Sequence, residues 1–142
     1  MRIRLLVLAG ILALWGCQTS KMPPPHQPSA TEVFNLRQRC ADLGERYLKE
    51  NRTQVIQAGG WIIVSTNYSV QTNRCYLTDD RQFGLTARTL SHTVELVDGQ
   101  TADVLALTSD ESGVQTGQIN NKGSTFEIAK AYIEARTKRD DQ

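Results

Sequence analysis

Three cysteines and two histidines are the residue types in this chain best suited to covalent, metal or acid–base chemistry: Cys17, Cys40, Cys75, His26 and His92. Their spacing excludes most of that chemistry. There is no Cys-x-x-Cys for dithiol exchange or zinc, and the two histidines are too far from each other and from the cysteines to read as a ligand set. Ser91 and His92 are adjacent in a segment that reads as a strand, where neighbours point to opposite faces, so they cannot serve as nucleophile and base. Asp79-Asp80 is a conceivable calcium pair, but turn chemistry is the plainer account of two adjacent aspartates. Trp61 and Tyr68 are a conceivable binding platform, with packing beneath a small sheet the plainer role. No nucleophile elbow, His-Glu-x-x-His motif or phosphate-binding glycine loop is present. The expectation is therefore no catalytic residues, no metal, no cofactor and no enzyme activity.

The start of the chain carries a different signal. Arg2 and Arg4 precede an apolar run, Leu5 to Trp15, which ends in Leu14-Trp15-Gly16-Cys17. A basic start, an apolar stretch and a small residue at the cut make a secretory leader, and the run is too short for a membrane span. The ending resembles the lipobox of bacterial lipoproteins. That resemblance implies cleavage before Cys17, lipid on the Cys17 sulfur, and a membrane-held protein. The competing reading is an ordinary secretory leader with a chance cysteine. With Cys17 lipidated, Cys40 and Cys75 remain as a disulfide pair, which an exported compartment permits. Gln18 after the cysteine, in place of Asp, resembles outer-membrane sorting, with the domain facing the periplasm. Without Arg2 and Arg4 the chain carries 14 basic and 15 acidic residues, so nothing suggests a nucleic-acid partner.

The remaining elements follow from periodicity. Residues 1–16 read as signal peptide, 17–30 as lipidated cysteine and proline-rich tether, 31–136 as one α+β domain, and 137–142 as a frayed tail. Val33, Leu36, Cys40, Leu43 and Tyr47 recur at helical spacing in a helix from Thr31 to Glu50, with Asn51 as its stop. Cys40 lies in that apolar stripe, facing the core. Trp61–Tyr68 and Cys75–Thr78 read as one hairpin. Arg88–Val97 and Thr101–Thr108 read as a second, turned at Asp98-Gly99, with Val97 opposite Gln100. That register puts Leu90, His92, Val94, Leu96, Leu105 and Leu107 on one face. Ser109–Gly123 reads as a long polar loop, exposed and suited to partner contact. Ser124 and Glu127 match a capping box before a final helix over Phe126–Arg136. The expected architecture is an N-terminal helix, a four-stranded antiparallel sheet and a C-terminal helix, both helices covering one face.

The run Asn67-Tyr68-Ser69-Val70-Gln71-Thr72-Asn73-Arg74-Cys75-Tyr76 resembles a segment of small exported proteobacterial proteins with an earlier helical cysteine, matched here by Cys40, and a strand like Thr93–Asp98. The resemblance implies the disulfide and the fold, and carries no activity. Two functions are open at this point. One is a non-catalytic, membrane-anchored binding or assembly module with an envelope protein as partner. The alternative is an inhibitor of an envelope-acting enzyme such as lysozyme, with Ser109–Gly123 as the inserting element.

Overall fold

A computed structural model describes residues 28–84 and 90–138 of the chain. Helix α1 spans Ala30–Gln57, and helix α2 spans Phe126–Thr137. Between them run β1 (Trp61–Ser69), β2 (Arg74–Phe83), β3 (Ser91–Asp98), β4 (Val104–Glu111), β5 (Val114–Ile119) and β6 (Lys122–Ser124). The strands form one antiparallel sheet in sequential order, so the α+β reading holds, with six strands rather than four. No helix of the described residues is long and apolar enough to cross a membrane.

Helix α1 opens on a capping box. Ser29 Oγ accepts from the Glu32 amide at 3.3 Å, and the Glu32 carboxylate accepts from the Ser29 amide at 2.7 Å. The helix does not stop at Asn51 but runs about two turns past Glu50, ending just before Gly59 at φ 75°. Asn51 stays helical because its side chain is used inside the fold, donating to the Tyr47 carbonyl at 2.9 Å. At the other end of the domain, Thr125 rather than Ser124 caps α2, accepting from the Ile128 amide at 3.3 Å.

The two helices lie on opposite faces of the sheet, which corrects the expectation that they share one. Strand alternation is the cause. Cys75 and Leu77 of β2 and Val97 of β3 face α1, where they pack with Cys40, Tyr68 and the half-buried Leu36, Leu43 and Tyr47. Their strand neighbours Tyr76 and Leu96 face α2 and pack with Ala106 and Ile133. A near-continuous apolar strand such as Cys75-Tyr76-Leu77 needs cover on both sides.

Three further segments differ from expectation for local reasons. Asp79 and Asp80 sit inside β2, which continues to Phe83. The β3–β4 connection occupies residues 99–103 and is not a two-residue turn. Asp98 organises it, accepting from the amides of Gln100 at 2.9 Å and Thr101 at 3.4 Å. The register becomes Leu96 opposite Ala106 and Val97 opposite Val104, leaving Leu105 as an extra, bulged residue on the α2 side. Leu107 pairs with Glu95 and so faces away from Leu96. Residues 109–123, expected as a loop, are mostly strand. Ser112 and Gly113 (φ 53° and 91°) and Asn120 and Asn121 (φ 49° and 61°) make two tight hairpins. Paired positive φ values suit the right-handed twist of the strands they join.

Candidate functional site

Most of the residues singled out by type have a definite place. Cys17 and His26 lie outside the described residues. Cys40 and Cys75 are joined by a disulfide, with Cα atoms 5.4 Å apart and a sequence separation of 35. The bond ties the middle of α1 to the start of β2, and both cysteines are buried. Tyr68 is buried, its hydroxyl donating to Asn73 Oδ1 at 2.6 Å, whereas Trp61 is 42 % exposed. The packing role therefore fits Tyr68 and not Trp61. Ser91 and His92 alternate in β3 and point to opposite faces.

Asp79 and Asp80 also separate to opposite faces, so they cannot share a cation. Asp79 is completely buried under α1. Arg81, two residues along on the same face, grips it from Nε, 2.9 Å from each carboxylate oxygen, and from Nη2. Nη2 also donates to the Tyr47 hydroxyl at 3.1 Å and to Asn51 Oδ1 at 3.4 Å. This explains how a fully buried carboxylate is tolerated: its charge is paired and its lone pairs are used. Burial, and then the Asp79 carboxylate, push the Tyr47 hydroxyl well above the ordinary phenol range. Arg81 is driven upward chiefly by its hydrogen bonds to Asp79. Glu95, on β3 beside them, is raised by burial. The cluster is a charge-compensated lock between α1 and β2, with a phenol held protonated and a guanidinium held charged.

The opposite face carries an opening. Between α2 and strands β3–β5 lies a cleft of about 470 Å³. Val94, Thr108 and Ile133 form its floor, Phe126, Lys130 and Glu134 its helical wall, and His92, Asp110 and Gln115 its strand-side rim. Antiparallel pairing explains the rim, because His92 lies directly opposite Asp110, and Asp110 directly opposite Gln115. His92 Nε2 lies 2.8 Å from Asp80 Oδ1, so the imidazole stands between carboxylates on both neighbouring strands. Asp110 accepts from Gln115 Nε2 at 3.0 Å and from the Gly113 amide at 2.9 Å, and these bonds hold its carboxyl below the usual range. Lys130 stands 4.0 Å from Glu134 on the helical wall. A largely apolar floor under a rim that mixes Asp110 and Glu134 with Lys130 and His92 suits a small apolar group that also carries hydrogen-bonding atoms.

The sequence reading missed this cleft because it placed Asp110 and Gln115 in a loop. The signal that finds them is the pair of two-residue loops, Ser112-Gly113 and Asn120-Asn121, bracketing a short six-residue run. A comparison of the chain with protein families, curated proteins and solved structures finds no match.

Proposed function

We infer that the chain is an envelope lipoprotein acting as a binding or assembly module. Cleavage before Cys17 and lipid on its sulfur would anchor the domain, and residues 18–28 would hold it off the membrane. At about 3.1 Å per residue, an extended segment of that length reaches roughly 35 Å. The observation that carries the reading is the Cys40–Cys75 bond. A structural disulfide in a small domain belongs to an oxidising compartment. It also uses two of the three cysteines, leaving Cys17, behind the apolar leader, as the one available for acylation. The cleft under α2 is the surface at which such a module would take a small ligand. Gln18 supports placement at the outer membrane, facing the periplasm. The inhibitor alternative gains no support from 109–123, since that segment is paired strand with only hairpin tips to insert.

Fractionation of cells expressing the full chain tests the anchoring. The wild type should pellet with membranes, and a Cys17→Ser chain should be released or stay uncut. Equal recovery of both in the membrane fraction overturns the lipid anchor.

A further inference from the structure

The two edges of the sheet are built differently. β6 ends the sheet with three residues, including Lys122 and Gly123. A very short, charged edge is a common way to keep other strands from adding on. β1 ends the other side with nine residues, Trp61 to Ser69, paired without irregularity to β2. It contains no charged residue and no proline. On the side away from β2 its backbone makes no hydrogen bond to another segment of the described residues. Two of its large apolar side chains, Trp61 and Ile63, are 42 % and 59 % exposed. A long, regular, neutral edge of this kind is a template for another strand.

A groove runs beside that edge. Leu48, Arg52 and Ile56 fall at steps of four on α1, so they share one stripe of the helix. Together with the first four residues of β1 they enclose a cleft of about 400 Å³. A strand added to β1 would place alternate side chains over this cleft, between the helix and the edge. Its lining is aliphatic and aromatic apart from Arg52, which is exposed and has no ion-pair partner among the described residues. An incoming strand must therefore be apolar on the groove side and is favoured if it brings a carboxylate to Arg52.

We propose that β1 takes up an extended segment of a partner protein as a seventh strand, with aliphatic side chains in the groove and an acidic residue against Arg52. Main-chain bonds supply the general attraction in this mode, and the groove supplies the selectivity. The inference rests on the binding half of the function given above and not on the anchoring half. Fractionation and the experiment below therefore fail separately.

The test is backbone amide exchange over residues 61–69 in the detergent-solubilised full chain. The probe is a synthetic peptide of alternating valine and threonine with one central glutamate. Adding it should slow exchange in β1. Replacing its glutamate by lysine should weaken binding by about two- to fivefold, the scale of an exposed ion pair. Arg52→Glu should reverse that preference, and Ile63→Lys should abolish protection. Both substituted side chains are exposed, so both variants should keep the melting behaviour of the wild type. Absence of peptide-dependent protection in 61–69 overturns the proposal. So does protection indifferent to the peptide's charge. Protection that appears without peptide and grows with protein concentration overturns it in favour of a second copy of the chain.

Discussion

The two layers that cover the sheet are held by different means. On one face, α1 is 28 residues long and is fixed to β2 twice, covalently through Cys40–Cys75 and by hydrogen bonds from the Asp79-paired Arg81 to Tyr47 and Asn51. On the other, α2 is 12 residues long and buries only Ala129 and Ile133. It is held by close fit and by a few polar ties, such as Asn67 Nδ2 donating to the Arg136 carbonyl at 2.8 Å. The ligand-sized cleft under a helix lies on this second face. The comparison teaches that the fold concentrates its rigid fastening under α1, and leaves the layer that walls the cleft to packing and a few hydrogen bonds.

The largest expected effect comes from cutting the covalent tie. Replacing both Cys40 and Cys75 by alanine should cost about 4 kcal/mol, since the bond closes a loop of that sequence length in the unfolded chain. Urea unfolding of the oxidised protein and the double variant measures it. A loss well under 1 kcal/mol would mean that α1 is held by packing as α2 is.

A pair of glycines gives the next test. A Cβ on Gly117 would sit 2.4 Å from the Thr125 carbonyl oxygen, a backbone atom at the start of α2. A Cβ on Gly44 would sit 2.3 Å from Thr66 Cγ2, a side-chain atom of an exposed residue rather than backbone. Gly117→Ala should therefore cost about 1–3 kcal/mol through forced displacement of α2. Gly44→Ala should cost less, because relief of the contact combines with a gain of about 1 kcal/mol in helix propensity. Matched denaturation curves decide the order, and a Gly44→Ala variant weaker than Gly117→Ala would reverse the assignment of tight fit to the α2 side.

The smallest effect concerns Glu95, whose carboxyl is raised by burial beside the Asp79–Arg81 pair. A folded-state value above the unfolded one means that folding favours the protonated form. That contribution is fully present below the ordinary glutamate range and is lost as pH rises through the folded value. Glu95→Gln should then raise the melting temperature at pH 7, with the gain closing below about pH 4. An equal gain at both pH values would show that charge is not the cause.

These contrasts also explain what the sequence revealed. The presence of both helices, the first strand and the inward placement of Cys40 were legible, because hydrophobic periodicity is a local signal, while the cap of α2 and the end of α1 were misplaced. The extent of β2 was not, since Asp79-Asp80 carries a strong turn signal. A strand holds them because Arg81 of the same strand and Tyr47 of α1 partner Asp79, and His92 of β3 partners Asp80. The β3–β4 register was missed because the Asp98 carboxylate gathers the following amides into a longer loop, which Asp-Gly alone does not announce. The cleft was hidden for the same reason as β5. Gln115, Thr116, Gly117 and Gln118 are individually poor strand residues, and only the two flanking tight turns commit them to pairing.

Native-state amide exchange, resolved by helix and run with the disulfide intact and reduced, tests the division between the layers most directly. With the bond intact, amides of α1 between Cys40 and Asn51 should exchange only through global unfolding, and those of α2 through a less costly opening. After reduction, protection in α1 should fall towards that of α2, while α2 changes little. Equal protection of the two helices in the oxidised protein, or a reduction effect felt equally by both, would contradict the account.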